Sequence, residues 1–588
     1  MELQLMNEWV KSAEGCFAAG DIPSMRACGR QLLEEIPQNP VAMAIIAEAS
    51  VYMQDFDEAE KWLAQMEAVL EKGDLSEARQ PNARLRILFA KALYYGAAYD
   101  LSNAMTAYEQ LFSAYEQLVH KGIAGSLGQA GQEMTHAMMM RAYSFYADTC
   151  LLAGETEKSA KAAFAVSSMA QDQATAASYF SKGLFLSNYR EAGSMELAKK
   201  HRQYGEMFPR QVGFPHDVRT RRRTHAVRVG YISPDFRLHA AAYFFTAFLK
   251  YGNRTDFTVY AYSTGREDHI TQRFKKMAHC WRNVHGRTPQ EIAKIIHDDH
   301  IDILVDLSGH SQNNCLSVMA YRPAPVQISG IGYINTTGLP MIDYFLTDEC
   351  CMPSVHDKGG FLETPLRLPH CHLCYQPETM RELKSAGHDA PAMSRGYITF
   401  GSFNSFAKVT DEMLVQWRNI LQAVPGSRLV IKCKICSVPS GQEIVRQRFR
   451  RLGGEPERLE LRPFSPDYLA QYGDIDIILD TAPYNGGLTT CDALYMGVPV
   501  IALRGRTHGS RYGATILTAA GVPELIADSL REYSAKAVQL AKNGVLLNRL
   551  HRELPELVKN SRLMDGRAYM QDLEEAYGKI WALYCQQG

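Results

Sequence analysis

Apolar positions recur three and four residues apart over roughly the first two hundred residues, then gather into short β-branched runs along the rest of the chain. From Met1 to about Pro209 the sequence is rich in Ala, Leu, Met, Glu and Gln, poor in Pro, and nearly free of strand-like alternation, which predicts an all-α region. Beyond it, runs at Val227–Ser233, Phe257–Ser263, Ile301–Leu307, Val326–Gly330 and Tyr344–Thr347 alternate with helix-length stretches. A second set follows at Tyr397–Phe403, Arg428–Cys433, Leu459–Leu461, Ile475–Asp480 and Val498–Leu503. Strands separated by helices predict parallel, doubly wound sheets. The break near Gln376–Arg395 predicts two such lobes facing across a cleft. The expected organisation is a helical domain over 1–209, a linker over 210–226, a first α/β lobe over 227–385, and a second lobe with C-terminal helices over 386–588.

Within the helical part, Ala18, Gly20, Ala27, Leu33, Pro37 and Pro40 resemble the second half of a tetratricopeptide unit. Tyr52, Phe56, Ala59 and Trp62 resemble the turn and second helix of another, and Tyr146, Ala147, Gly154, Ala160 and Phe164 those of a third. Each helix pair has an apolar face that only a neighbour can cover, so such units stack into a solenoid whose groove suits an extended peptide. That would make this half a reader of protein partners, and a surface through which copies of the chain could associate. A plain helical bundle is the simpler alternative.

The chain has 588 residues, 46% of them hydrophobic, enough to bury several cores. With 63 Lys+Arg against 64 Asp+Glu, the net charge of −1 gives no bulk case for binding nucleic acid or a membrane surface. The local cluster Arg219, Arg221, Arg222 and Arg223 lies between the helical and α/β parts and reads as a solvated linker. The N-terminus lacks a basic segment followed by an apolar core, and no apolar stretch nears the roughly 18–20 residues that span a bilayer. A cytoplasmic, soluble protein is the expectation. Thirteen dispersed cysteines, an odd number, read as reduced thiols.

Ligands of open α/β sheets bind beyond the carboxyl ends of the strands, so the segments that follow strands carry the functional information. No GxGxxG or GxxxxGK[ST] follows an early strand, which argues against a dinucleotide dehydrogenase or a P-loop NTPase. Three segments remain. Ser233 to Ala240 follows the first strand and holds His239 near a helix start, where the local field favours a neutral imidazole. Gly401 to Thr410 ends the first strand of the second lobe and holds Asn404, Ser405 and Lys408, an ammonium able to neutralise charge on a phosphate leaving group. In the third, Asp480 to Leu494, a strand gives way to Gly486 and Gly487, and Leu488, Thr489 and Thr490 open a helix whose unpaired N–H groups and hydroxyls suit a diphosphate. Asp492, about one turn on, could accept from ribose hydroxyls. Structural roles are the plainer reading of a loop histidine or a surface lysine taken singly.

Together VRVGYISPDFRLHA, DILVDLSGH, RPAPVQ, GSFNSFAK and NGGLTTCDALYMGVPV resemble the SPINDLY and O-linked N-acetylglucosamine transferase family of protein glycosyltransferases, in order and spacing. The resemblance implies a two-lobed GT-B architecture behind a tetratricopeptide-like region, and a nucleotide-sugar donor, UDP-N-acetylglucosamine by preference, bound mainly by the C-terminal lobe. It further implies no metal and no other cofactor, and inverting transfer to Ser or Thr of a protein acceptor. Transfer of hexose to Asn, of fucose to Ser or Thr, or a degenerate peptide-binding scaffold are the alternatives. By motif match, Lys408 corresponds to the lysine on the donor diphosphate and His239 to the histidine at the reaction centre. Thr489 and Thr490 fall at the phosphate-binding helix start and Asp492 at the ribose-binding acid. His310 and Tyr333 resemble cleft-lining positions, and His508 and Arg511, in GRTHGSRYG, a family loop without an assigned role. The chain departs from the pattern at Gly487, where animal enzymes carry His, at Ser405 for a common Gln, at Tyr468 for a His near the nucleobase, and over Gly330–Gly338. Those positions surround base and sugar, so donor identity stays open.

Two CxxC pairs, Cys371/Cys374 beside His370 and His372, and Cys433/Cys436, have metal-ligand spacing. The first resembles a family stretch without metal and the second ends a predicted strand, so buried thiols are expected and no metal is assigned.

Overall fold

The computed structural model describes residues 2–71, 80–120, 128–191, 193–208, 213–216, 226–352, 360–381 and 385–587. The arginine cluster at 219–223 and most of the expected linker lie outside the described residues. The chain forms two compact units, Met1–Tyr179 with Ser437–Val445, and Phe180–Cys436 with Arg446–Gly588. The sequence reading grouped 1–209 together. Helix does run to Glu206, but the division by compactness falls inside the helix Gln173–Glu191.

The first unit is built from helical hairpins: Glu2–Ala18 with Ile22–Glu35, Pro40–Tyr52 with Phe56–Glu71, Gln80–Ala97 with Leu101–His120, and Gly128–Ala153 with Thr156–Met169. One turn recurs in all four. Gly20, Gln54, Tyr99 and Gly154 take left-handed backbone angles, and the next residue, Asp21, Asp55, Asp100 or Glu155, returns its N–H to a carbonyl of the preceding helix at 2.8–2.9 Å. This satisfies a carbonyl left open at the helix end. The three aspartates then cap the following helix, accepting from Ser24, Glu58 and Asn103. Gly20 and Gln54 are 34 residues apart, the tetratricopeptide period. The first helices of the hairpins are further tied by buried ion pairs. Arg141 donates to Glu48 at 2.5 Å and to Glu14 at 3.0 Å, and Arg86 donates to Glu14 at 3.0 Å.

The second unit holds two all-parallel sheets. The first comprises β1 (Val227–Ser233), β2 (Phe257–Ser263), β3 (Cys280–Asn283), β4 (Ile303–Asp306), β5 (Val326–Gly330), β6 (Tyr344–Asp348) and β7 (Thr364–Leu368), in the order β3-β2-β1-β4-β5-β6-β7. The second comprises β8 (Thr399–Ser402), β9 (Arg428–Lys432), β10 (Leu459–Arg462), β11 (Ile477–Leu479), β12 (Val500–Leu503) and β13 (Ile526–Ala527), in the order β10-β9-β8-β11-β12-β13. Near-continuous burial of strands such as β4 and β5 follows from helices covering both faces. The strands absent from the sequence reading, β3, β7 and β13, are all edge strands. β3 is half exposed, β7 contains Pro365, and β13 has two residues, so none carries the apolar run of a central strand.

Strand order reverses between β1 and β4 in the first sheet and between β8 and β11 in the second, and the segments singled out above leave these strands. The C-terminal helix Gly566–Gln587 follows the second sheet in sequence but packs on the first lobe: Tyr569 donates to the His372 carbonyl at 2.9 Å, and Glu574 accepts from the Asn253 N–H at 2.7 Å. All thirteen cysteines stand outside any disulfide. Among the described residues no helix is long and apolar enough to cross a membrane.

Candidate functional site

The second sheet's switch point gathers the residues that leave β8 and β11. Asp480, directly after β11, is fully buried and accepts from the backbone N–H groups of Thr481 and Gly486, both at 2.8 Å, so the loop folds back over the strand end. Burial raises its carboxyl to about 6 against these hydrogen bonds. Asn404, after β8, links the two strand ends: its amide donates to Asp480 at 3.1 Å and its carbonyl accepts from the Thr489 hydroxyl at 2.9 Å. The helix Leu488–Tyr495 opens at Gly487 with no side-chain cap, leaving its first N–H groups available. Thr490 is turned back, donating to the Gly486 carbonyl at 3.1 Å. A β-carbon on Gly486 would lie 2.5 Å from the Thr489 hydroxyl and 2.8 Å from that of Thr490, so any side chain there must displace both hydroxyls.

Lys408 ends a single helical turn, Phe406–Lys408. Its ammonium donates to the Asn485 carbonyl at 2.9 Å and lies 4.0 Å from the centroid of the Tyr484 ring. Burial lowers its pKa to about 8, with Asp480 pulling the other way. Lys408, Asn404, Gly486 and the Thr489 helix start therefore converge on one spot. Ser405, beside them, is exposed.

Asp492 sits deeper on the same helix and is fully buried. One carboxylate oxygen accepts from Tyr375 at 2.6 Å and the other from Tyr468. The Arg381 guanidinium lies 4.8 Å from the Tyr468 ring centroid and 5.7 Å from that of Tyr243. Burial raises the Asp492 carboxyl to about 6. Both of its oxygens are thus already engaged, so a ribose hydroxyl could bind it only alongside or in place of a tyrosine. Tyr375 and Arg381 were missed from sequence because they precede this helix by more than a hundred residues and no local pattern marks them.

In the first lobe, His239 lies in the bend between β1 and the helix Ala242–Lys250, half exposed, with Nδ1 3.4 Å from Asp235 and within reach of the Ala241 N–H at 3.3 Å. Burial lowers its pKa while Asp235 opposes the shift. Both of these partners belong to its own loop.

Two positions expected to line the cleft are buried and hydrogen-bonded within the protein. His310 is buried, Nδ1 2.7 Å from the Ser181 hydroxyl and Nε2 2.8 Å from the Thr337 carbonyl. Tyr333 is fully buried, with its hydroxyl bonded to Asn188 at 2.7 Å and to His201 Nε2 at 2.8 Å. The physical reason is the helical segment after Phe180, which packs onto the strand ends of the first sheet and turns both side chains into an internal network. His508 is also buried, with Nε2 3.0 Å from the Thr347 hydroxyl, and Arg511 is half-buried. Their loop nevertheless touches the segment that follows β11, since Asn485 donates its N–H to the Gly509 carbonyl at 3.4 Å.

Comparison with known proteins finds relatives across most of the chain. A model of glycosyl transferase family 41 matches residues 207–373 and 377–573. A probable UDP-N-acetylglucosamine–peptide N-acetylglucosaminyltransferase SPINDLY from Petunia hybrida is 39% identical over 68% of this chain and 44% of its own length. The SPINDLY protein of Arabidopsis thaliana is 41% identical over 61% of this chain and 40% of its own. The chain thus spans less than half the length of the curated relatives it matches. A mutant O-GlcNAc transferase from Thermobaculum terrenum shares the fold, with a TM-score of 0.71 at 24% identity over 100% of this chain and 99% of that one. The architecture is a two-lobed GT-B fold behind a helical region, and the chain belongs to glycosyl transferase family 41.

Proposed function

We propose that this chain is a metal-independent, inverting protein glycosyltransferase that moves N-acetylglucosamine from UDP-N-acetylglucosamine to Ser or Thr hydroxyls of a protein acceptor in the cytoplasm. The observation that carries the reading is the convergence of Lys408 and the uncapped Thr489 helix start at the β8/β11 switch point, tied through Asn485 and Asn404. The relatives' names supply the donor and the peptide acceptor.

In this reading the acceptor oxygen attacks the anomeric carbon as the bond from that carbon to the diphosphate oxygen breaks. The negative charge left on the diphosphate falls to Lys408 and the helix N–H groups. Oriented donors aimed at developing charge contribute about 3–4 kcal/mol each. Thr489 and Gly487 border the phosphates, Ser405 and Leu488 the sugar side, and Tyr468 with Asp492 the nucleoside. His239, whose pKa burial lowers, contacts the acceptor hydroxyl or assists removal of its proton, with Asp235 3.4 Å from Nδ1; proton loss to the donor phosphate or through water is the rival route. The helical hairpins present the acceptor protein.

The test is a panel of uridine and guanosine diphosphate sugars with a protein lysate, read by intact mass. Addition of one N-acetylhexosamine from the uridine donor is the expected result. Addition of hexose or deoxyhexose would move the assignment to Asn glucosylation or Ser/Thr fucosylation. Neither transfer nor hydrolysis of any donor would leave a peptide-binding scaffold.

A further inference from the structure

Beside the donor site lies a second cluster that the transfer chemistry does not use. Cys351 follows β6, His372 follows β7, and His508 stands in the loop after β12. One ligand atom from each lies within 4.8 Å of the other two, and all three residues are buried. Each imidazole has one nitrogen engaged outward: His372 Nδ1 to the Asp348 carboxylate at 2.5 Å, and His508 Nε2 to the Thr347 hydroxyl at 3.0 Å. The other nitrogens, His372 Nε2 and His508 Nδ1, are buried without a hydrogen-bond partner, although the Ile334 carbonyl comes near the His508 ring. Aromatic rings of Phe345, Phe361 and Tyr512 wall the space. Two imidazoles and a thiol gathered this closely in apolar surroundings, with buried ring nitrogens that lack a well-formed hydrogen bond, are most favourable when a cation sits among them.

The surrounding hydrogen bonds have the form of a metal site's outer support. A ligating histidine almost always gives its other nitrogen to a carboxylate, carbonyl or water. Asp348 does this for His372 and also accepts from the backbone N–H groups of Cys351 at 2.7 Å and His372 at 3.0 Å, and from the Thr515 hydroxyl at 2.9 Å. It thereby fixes two of the three ligands. One thiolate and two imidazoles favour zinc or copper over magnesium or calcium. A Cys351 thiolate and the Asp348 carboxylate together carry two negative charges, which a divalent ion balances and a monovalent one does not, a strong preference in a buried site. Zinc bonds of about 2.0–2.3 Å need the ligand atoms to close by about 1 Å.

We propose that Cys351, His372 and His508 supply three of the ligands of one structural zinc ion. The ion would join the first sheet to the loop whose Gly509 carbonyl receives the Asn485 N–H, and so brace the carbonyl that Lys408 uses. It lies apart from the reacting atoms and leaves transfer itself metal-free. The CxxC pairs do not supply this site. Cys371 and Cys374 accept from Leu373 and Gln376, and the Cys433 and Cys436 sulfurs contact each other at 3.6 Å.

The experiment uses the full chain, stripped on chelating resin and then loaded with stoichiometric zinc or cobalt. One equivalent of zinc should survive gel filtration. The cobalt form should show tetrahedral ligand-field bands with a thiolate charge-transfer band. Cys351→Ser should lose the charge-transfer band, His508→Ala should lower zinc retention at least tenfold, and Cys433→Ser should match the parent, with circular dichroism confirming that each variant is folded. Wild-type protein that retains no zinc and gives no tetrahedral cobalt spectrum overturns the proposal, whatever the variants do. So do folded Cys351→Ser and His508→Ala variants that keep the full equivalent.

Discussion

The Lys408 ammonium is bonded to a single backbone carbonyl, that of Asn485 at 2.9 Å, in surroundings that lower its pKa to about 8. The charged form is the one that can neutralise a departing diphosphate, and it is lost as pH rises through 8. For the free protein, kcat/KM should therefore fall above about pH 8. Lys408→Arg keeps its charge throughout and should flatten that limb, whatever its effect on the plateau. Lys408→Met should lower kcat about 10²–10³-fold. A parent profile level to pH 10 would remove the lysine from this role.

The adjacent glycines should behave differently. A methyl on Gly486 meets the hydroxyls of Thr489 and Thr490 and an Asp480 oxygen within 2.5–3.0 Å, whereas one on Gly487 meets only the edge of Tyr512, at 3.9 Å. Gly486→Ala should cost about 1–3 kcal/mol of stability and weaken uridine diphosphate binding. Gly487→Ala should stay within about 0.5 kcal/mol of the parent in stability. Urea unfolding and nucleotide titration calorimetry of the pair would decide it, and equal behaviour would count against the loop geometry.

These contrasts separate what the residue pattern carries from what only the folded chain reveals. A central strand such as β4 was legible because both faces are covered and Ile303, Leu304 and Val305 form an unbroken apolar run. Edge strands β3 and β7 were not, since one side lacks a neighbour and polar residues or Pro365 are tolerated. The convergence of Lys408, Asn404 and Thr489 was legible because the segments leaving adjacent strand ends meet at a switch point. The burial of His310 and Tyr333 could not, because it comes from Ser181, Asn188 and His201, far upstream in sequence. The pairing of Asp492 with Tyr375 and Tyr468 is hidden for the same reason.

That pairing has a titration signature. Burial holds the Asp492 carboxyl at about 6, against 3.8 in the unfolded chain. Between these values the folded chain keeps a proton that the unfolded chain has released, so this group's contribution to stability is greatest at low pH and falls as pH rises through 6. Asp492→Asn has no such proton. Its stability relative to the parent should rise by about 2–3 kcal/mol between pH 4 and pH 7. Urea midpoints at four pH values test this, and a constant offset would refute the raised carboxyl.

The helical hairpins depend on a charge cluster for which their apolar pattern offers no substitute. Glu48 is 1% exposed and is bonded to Arg141 at 2.5 Å, while Arg141 and Arg86 share Glu14. The Arg141 guanidinium also lies 4.5 Å from the Phe17 ring centroid and 5.2 Å from that of Phe89, so four helices meet on it. Removing one partner strands a buried charge, and Glu48→Ala should destabilise by about 3–5 kcal/mol. Replacing the pair together, Glu48→Leu with Arg141→Met, takes both charges away and should cost less than the two single changes combined. Donor hydrolysis should persist in the folded double variant, because the switch-point residues belong to the other compact unit. Additive losses in urea unfolding would mean that the two side chains are not coupled.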